Sequence, residues 1–310
     1  MVSSIPSKAA PPRAISTNTK PEPLLRRVRP SSLHEHPDNA IFSPNIDHTM
    51  PTSTTTPSEP AWRDTELAEN PHAHAEKGEK VRRMFGAIAH AYDLNNRLHS
   101  FGRDQAWRKA AVRMASVQST DHVLDVACGT GDLTRAFADA DPARVVGLDF
   151  TAEMLDIART RRLAPAKHPE NKIVSYLQGD AMALPFDDAS FDIVSIAFGI
   201  RNVADPARAL AEFRRILRPA GRLVVLEFSK PRFAPIRWMN DLYCNRIMPI
   251  TASLIARDRS GAYRYLPRSI DTFLTPESLA ADITRAGFAD IRQRPLTFGV
   301  CTVTRAVVPN

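Results

Sequence analysis

Cysteine is scarce: three occur in 310 residues. Cys128, Cys244 and Cys301 lie far apart, without metal-ligand spacing, which excludes a disulfide framework and points to a reducing compartment. Long apolar runs are missing too. No stretch approaches the roughly 20 apolar residues of a membrane span, and no apolar leader opens the chain, so a soluble protein is expected. Charge of one sign is never concentrated. Lys and Arg number 41 against 34 acids, a formal charge of +7, yet the two signs are mixed along the chain. That excludes a nucleic-acid footprint and leaves an anionic membrane surface as a compatible partner.

What is present divides near residue 75. Residues 1–75 hold about half of the 25 prolines, many Ser and Thr, no glycine and no sustained apolar periodicity. Such a segment cannot bury enough surface to offset its ordering entropy, and disorder is expected. Lys8, Arg13 and Lys20 without an acid resemble a mitochondrial transit peptide, against which the dense prolines argue. From residue 76 onward, 43% overall hydrophobic content is organised as helices alternating with β-branched runs. Residues 80–115 read as one or two helices. Strands are expected at "HVLDVA", "RVVGLDF", "KIVSYLQGD", "FDIVSIAF" and "GRLVVLEFS", with helices over 132–140, 152–162 and 205–218 between them. The last of these is closed by the stop signals of "RPAG". Residues 276–306 add a helix ended by Gly287 and an antiparallel hairpin turning around "QRPLTFG". The alternation predicts an α/β fold with a mostly parallel sheet covered on both faces, whose ligands sit at the carboxyl ends of the strands.

The stretch "VLDVACGTGDLTRAFA" places Gly129 and Gly131 at a strand-to-helix turn, where backbone approaches a ligand that any side chain would displace. A dinucleotide and S-adenosylmethionine both use such a turn. The dinucleotide fingerprint asks for a third glycine where Thr134 stands. Asp149 ends the second strand, placed to accept both ribose hydroxyls. Asp180 follows the third, placed to accept an adenine amino group, with the small Ala181 after it. A helix N-cap is the alternative role for Asp180. Together the strand-end acids favour the methyl donor.

Five segments, "MFGAIAHAYDLNNRLHSFG", "LDVACGTGD", "DAMALPFDDASFDIVSIAFGIRNVADPARAL", "RRILRPAGRLVVLEFSKP" and "YRYLPRSIDTFLTPESL", together resemble the C-methyltransferases of ubiquinone and menaquinone biosynthesis, over about residues 82–306. The resemblance implies a seven-stranded Rossmann-like methyltransferase domain over 76–310, with a helical cap at 76–118 and a lid and acceptor insertion at 231–265. It implies S-adenosylmethionine as donor and a polyprenylated quinol, demethylmenaquinol or 2-methoxy-6-polyprenyl-1,4-benzoquinol, as acceptor. It also implies cofactor contacts from Asp125, Gly129, Thr130, Gly131, Asp149, Asp180, Ala181 and Ala197. Two positions depart from the family pattern: Cys128 replaces a glycine, and Ala197 stands where some members carry Ser.

A ring carbon becomes nucleophilic when a neighbouring hydroxyl loses its proton, so a group is needed to stabilise a phenolate. Arg201 in "FGIRNV" stays protonated and can hold that oxygen or polarise a water, with Asn202 beside it; bracing the loop against an acid such as Asp205 is its alternative role. Tyr92 can orient or relay a proton, or simply pack with Phe85 and Ile88. Trp238, Leu242, Tyr243 and Ile247 recur at helical spacing between Arg237, Arg246 and Arg257. They form either a helix packed over the sheet or a membrane-docking lid. The expected setting is the cytoplasm at the inner face of the membrane, or the mitochondrial matrix side of the inner membrane, with a homodimer or a quinone-biosynthesis complex as partner. A methyltransferase on another hydrophobic small molecule, and a non-catalytic scaffold subunit of such a complex, are the alternatives.

Overall fold

The computed structural model describes residues 60–68, 70–161, 173–256, 258 and 260–310. Seven strands form one sheet in the order β3-β2-β1-β4-β5-β7-β6: β1 His122–Val126, β2 Arg144–Asp149, β3 Ile173–Gln178, β4 Phe191–Ala197, β5 Leu217–Phe228, β6 Ala289–Leu296 and β7 Cys301–Val307. The first five run parallel, and β7 is antiparallel to β5 and β6. The expected sheet, including its C-terminal hairpin, is what the chain forms.

The central strands are buried on both faces, which is why they read as near-continuous apolar runs. Leu124, Val126, Val194 and Ile196 point to the side covered by α6 (Pro206–Ile216) and α10 (Pro276–Arg285). Val123, Val145 and Ile193 point to the side covered by α3 (Arg103–Ala115) and α4 (Asp132–Ala138). Asp205 caps α6, accepting from the backbone N–H groups of Ala207 and Arg208, and is thereby occupied as a cap. The "RPAG" stop holds for the helix, which ends at Ile216, but the same residues form an irregular start to β5, with a register shift between Phe191 and Ile193 of its neighbour. The edge strand β6 is almost wholly exposed and carries Arg292, Arg294 and Pro295, residues that discourage further strand pairing.

A third apolar cluster lies among helices: α2 (Lys77–His99), α8 (Met248–Ala256), α9 (Ala262–Thr272) and the short α1 (Asp64–Ala68). Here the boundary expected at residue 75 needs correction. Trp62 and Leu67 are buried in this cluster, and a 3-10 turn over Pro71–Ala73 follows. One indole and one leucine, too few to show as periodicity, hold the segment from residue 60 onward to the domain. The expected disorder of residues 1–59, and the N-terminal signal weighed there, lie outside the described residues. The insertion after β5 forms α7 (Ala234–Leu242), a π-helical turn over Tyr243–Ile247, and α8. Of α7 not one residue is buried. No helix among the described residues is long and apolar enough to cross a membrane.

Candidate active site

One cavity opens at the carboxyl ends of β1, β2 and β4, where the strand order reverses direction, the place at which α/β sheets bind ligands, and a second lies past the ends of β4 and β5. The first, about 230 Å³, is lined by Gly129, Asp149, Asp180, Ala181, Ala197 and Asn202, with Phe150, Met154, Met182 and Val203 as apolar walls. The second, about 630 Å³, is lined by Arg201, Tyr265, Trp107, Met239, Phe101 and Phe298, among others. Phe85, Tyr92 and Phe198 belong to both linings.

The first cavity is held by backbone. After β1 the chain passes through Ala127 and Gly129 with φ of 51° and 56° and Gly131 with φ of 81°. The Gly129 N–H donates to Asp149 Oδ2 at 2.7 Å, and the Thr151 N–H to Oδ1 at 2.8 Å. Burial pushes the Asp149 carboxyl upward, and these backbone donors oppose the shift. Each Asp149 oxygen keeps a lone pair for a further donor. Asp180 Oδ1 accepts the Met182 N–H at 2.9 Å, closing a tight turn to Ala183. Its capping role is thus within its own turn. Two acids at neighbouring strand ends between apolar walls fit a nucleoside that presents hydroxyl and amino donors, which is what S-adenosylmethionine offers at that end.

Three of the expected cofactor residues stand outside this lining. Asp125 is buried beneath the sheet end, accepting from the Thr134 hydroxyl at 2.7 Å and the Ser195 hydroxyl at 2.9 Å. Burial pushes its carboxyl up to about 6, with both hydroxyls opposing. Thr134, where a dinucleotide turn has glycine, therefore serves that acid. Thr130 donates to Asp93 Oδ1 at 2.7 Å, tying the turn to α2. Gly131 is required for a different neighbour: a Cβ there would lie 2.6 Å from the Tyr176 hydroxyl oxygen. Cys128 turns its thiol inward beside Gly147, and burial, helped by the Asp149 charge, pushes that thiol well up. The departure at Cys128 leaves the cavity wall untouched.

The second cavity is held by side chains. Arg201 is buried, with Nη1 donating to Glu227 Oε1 and to the Phe198 carbonyl, both at 2.7 Å, and Nε to the Ser269 hydroxyl at 3.3 Å. The acid that braces Arg201 is therefore Glu227, from "LEFSKP", and not Asp205. Nη2 is left without a hydrogen bond to a described residue. Glu227 Oε2 is likewise buried without a partner among the described residues, and burial raises this carboxyl against the pull of the Arg201 charge. Asn202 accepts from the Tyr265 hydroxyl at 3.0 Å and donates to the Phe198 carbonyl at 3.3 Å. The Tyr92 ring meets Phe85 edge-on at 5.9 Å, so its packing role is real and coexists with its place between the cavities.

Sequence reasoning passed over Phe198, the wall shared by both cavities, and Lys77. Lys77 is buried and its Nζ donates to the Val203 carbonyl at 2.6 Å. Burial, with the Arg201 charge behind it, pushes its pKa down to about 8. A lysine at the start of an amphipathic helix gives no local signal of this.

Residues 73–308 match the model of the ubiE/COQ5 methyltransferase family. Among curated relatives, the chain is 48% identical over 221 residues to a demethylmenaquinone methyltransferase of Thermus thermophilus, covering 71% of this chain and 97% of that protein. It is 41% identical over 234 residues to a ubiquinone/menaquinone biosynthesis C-methyltransferase of Citrifermentans bemidjiense, covering 75% and 97%. Among solved structures, a SAM-dependent methyltransferase of Thermotoga maritima superposes with a TM-score of 0.51 at 19% identity, covering 73% of this chain and 99% of that one. That last likeness concerns the fold alone.

Proposed function

The chain belongs to the ubiE/COQ5 methyltransferase family, and from that premise we propose that it transfers a methyl group from S-adenosylmethionine to a ring carbon of a polyprenylated quinol, demethylmenaquinol or 2-methoxy-6-polyprenyl-1,4-benzoquinol. The observation that carries the reading is the pair of cavities sharing Phe85, Tyr92 and Phe198, one with two strand-end acids and the other larger and mostly apolar.

The bound cofactor supplies an electrophilic methyl group on a sulfonium. Around it, Asp149 and Asp180 hold the nucleoside end by accepting its hydroxyl and amino hydrogens. Phe85, Tyr92 and Phe198 exclude water between donor and acceptor, which favours a displacement in which charge is lost. Arg201 remains a cation and directs Nη2 at the ring oxygen, stabilising the phenolate that makes the neighbouring carbon nucleophilic. The guanidinium cannot itself accept the hydroxyl proton; by stabilising the phenolate it eases loss of that proton to solvent water, and the hydrogen on the methylated carbon leaves the same way as the ring regains its aromaticity. Asn202 keeps a second amide hydrogen for the same oxygen.

The isoprenoid tail leaves past Phe101, Met239 and Phe298, which line the larger cavity and are exposed at 80%, 60% and 77%. Next to that exit, Trp238, Leu242, Ile247 and Leu254 stand in solvent, with Arg237 and Arg246 exposed among them. This suits an anionic membrane surface from which a water-insoluble acceptor is drawn.

Purified protein, labelled S-adenosylmethionine and each quinol in phospholipid vesicles provide the test. Label is expected in the ring of one or both acceptors. Binding of the cofactor with no label in either quinol overturns the acceptor, and failure to bind the cofactor overturns the enzyme reading in favour of a scaffold.

A further inference from the structure

Trp62 precedes the region matched by the family model, yet it is among the most deeply buried side chains of the domain. Its indole stacks on the Tyr265 ring, with centroids 4.8 Å apart and planes 20° from parallel. Its backbone N–H donates to the Ser260 carbonyl at 3.3 Å, and its carbonyl oxygen lies 3.0 Å from where a Cβ on Gly261 would stand. The residues that follow continue along the same helix. Arg268 donates to the Leu67 and Ala68 carbonyls at 2.9 and 2.7 Å, and His72 Nε2 bonds the Ser269 carbonyl at 2.9 Å. Lys80 closes the segment from α2, reaching Glu66 at 2.8 Å and the Ala61 carbonyl.

The helix so gripped is α9, and its opposite contacts are the reacting loop. Tyr265 and Ser269 are four residues apart and share a helix face. The Tyr265 hydroxyl donates to Asn202 and the Ser269 hydroxyl accepts from Arg201 Nε. Pro267 lies inside α9, where it removes one intrahelical hydrogen bond and weakens the helix. External support for α9 is therefore needed to hold these two contacts, and residues 60–68 and 70–73 supply it.

We propose that residues 60–68 and 70–73 are a strap that fixes α9 against the Ile200–Asn202 turn, with Trp62 a positioning residue for Asn202 acting through Tyr265. This rests on the quinol methyltransferase reading for its kinetic consequence but not for its structural one. The strap makes turnover depend on a segment ahead of the shared domain, while Asp149 and Asp180, the strand-end acids of the smaller cavity, are held by backbone amides outside its contacts.

The test uses the full chain with Trp62→Leu, Trp62→Phe and Tyr265→Phe, the first keeping bulk without the stack. Trp62→Leu and Tyr265→Phe are each expected to lower kcat about tenfold, with the cofactor dissociation constant within about twofold of the wild type. Trp62→Phe, which restores a ring against Tyr265, is expected to recover most of the loss. The double variant Trp62→Leu/Tyr265→Phe should lose no more than the larger single loss, because the two act on one contact. Amide exchange over residues 199–204 should quicken in Trp62→Leu. Wild-type turnover in Trp62→Leu, multiplicative losses in the double variant, or unchanged exchange would each overturn the strap. Should the wild-type chain methylate neither quinol, the functional reading fails and the exchange measurement alone decides the strap.

Discussion

The two cavities meet at three shared side chains but are built by different means. The smaller is assembled at the ends of successive strands, and its polar residues are aimed by backbone: Gly129 and Thr151 amides on Asp149, the Met182 amide on Asp180. The larger gathers stretches far apart in the chain, from α2 and α3, the ends of β4 and β5, the helices that follow β5, α9 and the C-terminal hairpin. Its buried cation Arg201 is aimed by another side chain, Glu227, and the Tyr265 hydroxyl on its wall reaches across to Asn202 of the smaller cavity. The smaller cavity thus inherits its precision from the sheet. The larger depends on side-chain pairs that single substitutions can undo.

The sharpest way to break this contrast is at Arg201. Arg201→Ala strands Glu227 as a buried, unpaired carboxylate, and removing one partner of such a pair costs about 3–5 kcal/mol. Thermal unfolding should move down accordingly and quinol methylation should collapse. Adding Glu227→Gln is expected to return most of the stability and none of the turnover. Recovered turnover in that double variant would reduce Arg201 to a brace.

Beneath the cofactor end, Asp125 makes the pH dependence informative. Its folded carboxyl titrates at about 6, above its ordinary value near 4. Between those pH values the unfolded chain has released a proton that the folded chain still holds, so stability falls as pH rises through that window, by about 3 kcal/mol for this group. Asp125→Asn should remove that fall in a denaturant series from pH 4 to pH 7. Since Asp125 does not line the cavity, cofactor affinity at neutral pH should change little.

Asp149→Asn probes the backbone-held end directly. Losing a charged acceptor weakens its hydrogen bonds by about 1.5–3 kcal/mol, so cofactor affinity measured by calorimetry should drop about 10- to 150-fold. The quinol KM should hold, which a shared dependence of the two cavities would prevent. The smallest effect is expected at the exit. Phe298→Ser removes an exposed ring from the mouth of the larger cavity, and should raise the KM for a long-tailed quinol by a few-fold at most while leaving a short-tailed analogue unaffected.

Much of the cofactor end could be read before any coordinates. Alternating helices and β-branched runs gave the parallel strands, and the residues just past them, Gly129, Asp149, Asp180 and Ala181, line the smaller cavity. The same reasoning also named Asp125, Thr130 and Gly131, which stand outside that lining. These sit in the same turn, but their partners are Ser195 and Thr134, Asp93, and the Tyr176 hydroxyl. Proximity in a motif does not say which way a side chain points. At the acceptor end, Arg201 was identifiable by its motif, whereas Glu227 was quoted within "LEFSKP" without a role.

Local pattern alone determined the sheet, the sharp turn after β1 and the acids that follow the strands, because strand alternation, glycine conformation and helix capping act over a few residues. Tertiary structure decided that Arg201 pairs with Glu227, that Lys77 reaches the Val203 carbonyl, and that Trp62 leans on Tyr265. Those contacts join residues 26, 126 and 203 positions apart. Which distant groups come within hydrogen-bonding or stacking range is set by how whole elements pack, and no short-range rule carries that information.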